Sequence, residues 1–363
     1  MVLLKNSTQN KGPGFFIILT GITIFFSVFF SVLSAQASAR AGDGSQGYHR
    51  FSVFLENDAF ASDDSQYTSG IKLIWSRYNL SDLPDDAWLH KWLYPLINTL
   101  NFYNSPEFKK ALTFTLGQKI YTPDDTDSKE LIESDRPYAG ITFAELGFHK
   151  ISQKSMHTLE FGAGIVGPES FAEDVQSWTH DILGNNEPEG WDHQLENEPI
   201  VCLIYDYKKK LFQKNIMQGY GGDVILNMGG DLSNARTFTK IGFLGRYGWN
   251  VPENFGHFPI EPATTFNTQI PEYGPEKNKS RFGLHLFAAA RTKWMIRDIF
   301  LDGNSFRSSH SVDKKKLVSV FSGGVELTWS RITTALSYVH RTKSFNRQDE
   351  PQKFITINLS FNY

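Results

Sequence analysis

The sequence predicts an all-β protein, a transmembrane antiparallel up-and-down β-barrel of about 12 strands. Three observations carry this: an alternating C-terminal strand that closes on an aromatic residue, similar runs along the chain, and an export-type N-terminus. From Phe354 to Tyr363, the apolar residues Ile355, Ile357, Leu359 and Phe361 alternate with Thr356, Asn358, Ser360 and Asn362. Successive side chains of a strand point to opposite faces, so this segment has one apolar and one polar face. A membrane barrel needs that pattern, apolar toward lipid and polar toward the lumen. A soluble β-sandwich shows it too. The terminal Tyr363 tips the balance, because such barrels typically end on an aromatic residue read by the assembly machinery, whereas soluble domains more often fray there.

At the other end, Lys5 and Lys11 precede an uncharged apolar run from Phe15 to Leu33, followed by Ala35, Gln36, Ala37, Ser38 and Ala39. That order predicts a signal peptide over 1–39, cleaved after Ala37 or Ala39, with the barrel over 40–363. The alternative is an uncleaved anchor, since a spanning helix needs roughly 20 residues. A net charge of −3 implies no nucleic-acid partner. Cys202 is the one cysteine, which excludes an intramolecular disulfide, and its setting from Ile200 to Tyr205 suggests a strand face. Aromatics at 14% suit interfacial girdles. The low overall hydropathy argues against a helical bundle.

Strands are expected near 48–57, 67–79, 110–121, 138–150, 155–167, 198–209, 215–228, 236–248, 281–299, 315–329, 331–342 and 353–363. The clearest alternations are Ile71/Leu73/Trp75, Leu159/Phe161/Ala163/Ile165, Val201/Leu203/Tyr205/Tyr207 and Ile332/Thr334/Leu336/Tyr338. With both termini in the periplasm, the gaps near 58–66, 122–137, 168–197, 229–235, 300–314 and 343–352 become extracellular. The other gaps should be short turns. Those at 151–154, 210–214 and around Arg331 fit; 80–109 and 249–280 are long. Trp88, Leu89, Trp92, Leu93, Leu96 and Ile97 fall at helical spacing, for an amphipathic helix on the inner membrane surface or capping the barrel mouth. Lys72, Tyr78 and Arg331 are expected to fill the lumen.

Three polar clusters fall on the predicted outer rim. The first is Glu56-Asn57-Asp58 with Asp63, Asp64, Tyr67, Thr68 and Gly70. The second runs from Gly117 through Tyr121-Thr122-Pro123-Asp124-Asp125 to Lys129 and Asp135-Arg136-Pro137-Tyr138. The third holds Gly167-Pro168, Gln176, His180 and Trp191 to Pro199. Strands one to six are neighbours in a barrel, so the clusters can converge. No Gly-x-Ser-x-Gly elbow or His-Glu-x-x-His pattern occurs. What remains is a histidine able to activate water, and hard oxygens able to hold a divalent cation that would polarise an ester carbonyl. The residues alone fit equally a passive barrel whose loop acids bind divalent ions bridging lipopolysaccharide phosphates. The Asp-Arg-Pro-Tyr-Ala-Gly stretch fits equally a loop-to-strand turn with a structural salt bridge.

An ordered set of these motifs resembles the outer-membrane lipid A 3-O-deacylases, the LpxR family, from about residue 50 to the C-terminus. The set is Glu56-Asn57-Asp58, Tyr67-Thr68-x-Gly70, Gln118-x-Ile120-Tyr121-Thr122-Pro123, Asp135-Arg136, Gly167-Pro168, Gln176 with His180, and Trp191-x-x-Gln194. The resemblance implies a calcium-dependent esterase at the outer-leaflet end of a twelve-stranded barrel, acting on lipid A of lipopolysaccharide. It places a catalytic histidine on His180, the metal and oxyanion site on Asn57 and Asp58, and a site-lining residue on Thr68. The family's active-site lysine falls on Ser128 or Lys129, of which Lys129 suits the chemistry. The position of the family's histidine-supporting carboxylate falls on Asn186, an amide that could orient an imidazole but supplies no charge, or with a one-residue shift on Glu187. Without the resemblance, an outer-membrane esterase or phospholipase of other specificity, or a non-catalytic lipopolysaccharide-binding barrel, are the competing readings.

Overall fold

A computed structural model describes residues 49–57, 69–78, 108–183, 186–217, 219–256 and 282–363. Its strands are β1 (His49–Asn57), β2 (Ser69–Tyr78), β3 (Lys109–Tyr121), β4 (Ala139–Ile151), β5 (Ser155–Val166), β6 (Glu198–Met217), β7 (Tyr220–Ser233), β8 (Arg236–Trp249), β9 (Phe282–Asp298), β10 (Leu317–Trp329), β11 (Ile332–Arg341) and β12 (Gln352–Asn362). Each pairs antiparallel with its sequence neighbours, and β1 pairs with β12, so the sheet closes into a twelve-stranded barrel. Closure leaves no strand edge to face lipid, where unpaired backbone groups are costly.

The alternation read from the sequence is the wall's inside–outside code. In β12, Phe354, Thr356, Asn358 and Ser360 are buried, while Ile357, Leu359 and Phe361 are exposed. The outer face is apolar elsewhere too, with Val201, Leu286 and Trp294 at 70%, 65% and 60% exposure. The terminal aromatic clasps the seam. Tyr363 exchanges backbone hydrogen bonds with His49, stacks on its ring at 5.5 Å, and its hydroxyl accepts from Trp75 Nε1 at 3.0 Å.

The inward face is charged, and several of its buried charges are paired. Arg246 grips Asp223 through two bonds of 2.8 and 2.5 Å. Lys240 meets Asp206 at 2.6 Å, and Asn227 donates to both oxygens of that carboxylate. His149 bridges Thr113 and Thr158 at 2.9 Å each. Lys72 and Tyr78 point inward as expected. Arg331 does not: it is exposed in the β10–β11 turn, so its expected lumenal role is wrong.

Strand β6 departs from expectation. It runs on to Met217, so the following turn contains Gly219 and does not lie at 210–214, and the outer β7–β8 gap shrinks to Asn234 and Ala235. The expected turn begins at Lys210, yet Lys210, like Lys208, is buried inward, and the strand continues past it through bulges at Lys210/Phe212 and Asn215/Met217. The expected signal peptide and the 88–100 helix lie outside the described residues, as does most of 249–280.

Candidate active site on the outer wall

The start of β1 and the end of β12 stand at one end of the barrel; the end of β1, the start of β2 and the β3–β4 and β5–β6 connections stand at the other. The third connection does most of the building. Gly167 sits at φ 101°, a conformation that favours glycine, and a Cβ there would lie 2.6 Å from the Glu196 carbonyl carbon. The turn at Pro168–Ser170 follows, then helix α1 (Ala172–Leu183). Glu173 and Asp174 in its first turn complement the helix dipole. The Glu173 carboxyl is pushed above the ordinary range, chiefly by partial burial and then by Asp174 and Asp192, with a hydrogen bond from Gln194 acting in the opposite direction.

Residues Ala172, Gln176 and His180, one turn apart, are the fully buried line of α1. They face the barrel from outside. Gly140 shares the lipid-facing side of β4 with exposed Thr142, and a Cβ on Gly140 would stand 2.1 Å from Ala172 Cβ. Ile120, on the same side of β3 as exposed Phe114, clusters with Ala172, Tyr138 and Trp191. The Ser170 carbonyl accepts from Gln118 Nε2 and Thr142 Oγ1, both at 2.7 Å, which fixes the start of α1 to the wall.

Register then links β1 to the helix. Asn57 pairs with Ser69, Ser69 with Ile120, and Ile120 with Gly140. Asn57 has the parity of exposed Leu55, so this row lies on the outer face. At about 4.8 Å per strand, Asn57 stands roughly 10 Å from the Ile120 column on which α1 packs. The site is therefore on the lipid side of the wall, not in the lumen.

His180 is 5% exposed, and its Nδ1 lies 2.5 Å from the carbonyl oxygen of Asn186. A carbonyl only accepts, so Nδ1 carries the proton and the ring's lone pair is on Nε2. One partner of the imidazole is thus a backbone carbonyl, which no side-chain pattern reveals. Gln176 Oε1 accepts from Trp191 Nε1 at 3.0 Å, and Trp191 packs on Tyr138 at 5.0 Å. Lys129 is exposed and paired with Glu189 at 3.3 Å, in the stretch that also holds Asn186. It is brought to the same loop cluster as His180 but not onto the imidazole. Asp58 and Thr68 lie outside the described residues, so of the five candidates the structure places Asn57, Lys129 and His180. Asp135 and Arg136 are structural: Asp135 accepts from the backbone of Asp124 and Arg136, and the buried Arg136 lies over the rings of Tyr121 and Phe345. Thr142 and the Tyr138–Trp191 contact were not singled out as site elements from sequence. Parity around the quoted Gln118 and Gly140 was the signal for Thr142.

Comparison with known proteins decides the family. The family profile described as "Outer membrane protein LpxR" matches residues 24–363. The chain belongs to the LpxR family. The structure of LpxR from Salmonella typhimurium superposes with a TM-score of 0.66 at 18% identity, covering 86% of this chain and 99% of that one. The β domain of the Bordetella autotransporter BrkA matches with a TM-score of 0.41 at 7% identity, covering 88% and 99%. A search of curated proteins finds no match. LpxR membership and the closed barrel make this an outer-membrane protein.

Proposed function

We propose that this LpxR-family barrel is a lipid A deacylase that hydrolyses an ester-linked acyl or acyloxyacyl chain at the 3-position, using water activated by His180. Family membership supports the activity, and the observation that carries the mechanism is the placement of His180. Its imidazole is held in one tautomer, on a helix packed against the lipid-facing wall, where a substrate that never leaves the outer leaflet can reach it. The exposed apolar residues Leu55 and Ile71, paired across β1 and β2, and Phe114 farther along β3 offer the acyl chain apolar wall to lie against.

His180 Nε2 takes a proton from water, and the water oxygen adds to the ester carbonyl. The tetrahedral intermediate collapses as His180 returns the proton to the departing sugar alkoxide, which leaves a free acid and a hydroxyl. The Asn186 carbonyl supports the imidazolium formed midway. Lys129 supplies positive charge at the rim and Thr68 lines the site.

A calcium ion is the cofactor we assign. Asn57 ends β1 and Asp58 follows it, a pairing of amide and carboxylate oxygens that suits Ca²⁺. Asn57 and Asp58 are the residues we assign as its protein ligands. When bound, the ion polarises the ester carbonyl. The test is mass spectrometry of lipid A from cells expressing the protein or His180→Ala, with calcium replete. Loss of one acyl chain with the native protein, and a rate about 10²–10⁴ lower with the variant, is expected. An unchanged acylation pattern with the native protein refutes the function, and a near-native rate for His180→Ala refutes the mechanism.

A further inference from the structure

The outer mouth of the barrel holds a second site, away from His180. It is a cavity of about 540 Å³ lined by Glu133, Asp302, Ser311, Asp313, Asn346 and Arg347, with Lys314 and two apolar residues. That volume lies in the range of small-molecule sites. Its walls come from three connections, β3–β4, β9–β10 and β11–β12, the last two tied together by backbone bonds. Asn346 N donates to Asp313 O at 2.9 Å, Lys315 N to Ser344 O at 2.6 Å, and Lys314 and Phe345 form a β-bridge. Lys314 is anchored to Asp302 at 2.7 Å, so the cup is preformed.

The lining chemistry narrows the ligand. Phe345, one of the two apolar residues, is fully buried beneath the cup, so an acyl chain finds little to contact. No three of the described acids stand close enough together to hold a metal ion. Three carboxylates beside two cations make a poor seat for a polyanion. They do suit a hydroxyl-rich ligand: carboxylates accept from neighbouring hydroxyls, while an amide and a guanidinium donate to ring and hydroxyl oxygens. At the extracellular end of an outer-membrane barrel, the saccharide that extends above the leaflet is at this height.

We propose that this cup binds a neutral sugar of the saccharide portion of lipopolysaccharide, so that substrate is gripped by its glycan at the mouth while its acyl chains lie against the outer wall. This rests on lipopolysaccharide being the substrate, but it is tested without catalysis. Full-length protein in detergent micelles is titrated calorimetrically with the water-soluble oligosaccharide released from lipopolysaccharide by mild acid. Saturable binding is expected, weakened about tenfold or more by Asp313→Asn with Arg347→Ala. The same loss is expected from Ser311→Trp, which fills the cup and decides the matter if the double variant does not fold. His180→Ala should bind the oligosaccharide like the native protein. Failure of deacylation with glycan binding intact would remove the proposed function and leave the site. No saturable binding by the native protein, or equal affinity in the cup variants, overturns the proposal.

Discussion

Helix α1 reaches the wall only because residue 140 has no side chain. In Gly140→Ala the new Cβ would stand 2.1 Å from Ala172 Cβ and 2.2 Å from Ser170 Oγ. The first separation falls about 1.3 Å short of ordinary contact, and neither β4, hydrogen-bonded on both sides, nor the helix backbone can give that much without moving. The hydroxyl can rotate; the Ala172 methyl cannot. Overpacking of this kind typically costs about 1–3 kcal/mol. The strain falls on the α1–wall contact and spares the strand ladder, so the barrel should still close and show native heat-modifiable migration on gels. Misplacement of a catalytic group by about 1 Å can cost about 10² in rate. Gly140→Ala should therefore lower lipid A deacylation by about that factor, read by mass spectrometry over a time course. Adding Ala172→Gly, which removes the clashing methyl, should restore much of it. A Gly140→Ala enzyme with native rate would refute the claim that α1 must lie flush on the wall, and a double variant no better than the single would show that Ala172 is not the obstruction.

Other substitutions probe the remaining links. Asp223→Ala strips the buried Arg246 of its bidentate partner and should destabilise the barrel by about 3–5 kcal/mol, seen as a lower temperature of heat modification. Lys129→Met breaks only an exposed pair with Glu189, so it should leave that temperature unchanged within about 1 kcal/mol; a deacylation rate down about tenfold would confirm that Lys129 acts on substrate, and an unchanged rate would remove it from the site. Trp191→Phe leaves the buried Gln176 Oε1 without its donor. It should loosen α1 by about 1–3 kcal/mol, read as faster proteolysis within 172–183 while the strands stay protected.

What was legible followed periodicity. A strand's two-residue repeat is written in side chains, so β12, β5 and β11 could be placed from their alternation, and parity assigned Asn57, Lys129 and His180 to one end of the barrel. The misplaced end of β6 shows the limit: Lys210 looks like a turn residue, yet it is a lumenal side chain that donates to Gln213 Oε1 and to the main-chain oxygen of Glu253. The long inner gap at 88–100 lies beyond what the structure describes. The site was half legible. Gln176 and His180 were legible as members of the motif set, but α1 was not foreseen as a helix, and its docking depends on Gly140, whose contribution is an absence. His180 was expected to lean on a carboxylate; the contact to the main-chain oxygen of Asn186 could not be foreseen, because every residue carries such an oxygen and no pattern marks it.

The β1–β12 seam sets the order in which this molecule can be made. Eleven of the pairings join sequence neighbours, whereas Ser360 Oγ meets Ser52 Oγ at 2.8 Å across a separation of 308 positions. Compared with a hairpin, closing so long a loop adds about five doublings of length at about 0.6 kcal/mol each, and it is the slow kind of contact for a folding chain. Until β12 has been synthesised, β1 remains an open edge with nothing of its own to pair with, a hazard for aggregation in the periplasm and untenable in lipid. Nascent chain must be sheltered until the 11 residues of β12 arrive. A truncation just before Gln352 would lose one strand in twelve by count, yet it would lose the closure on which the other eleven depend.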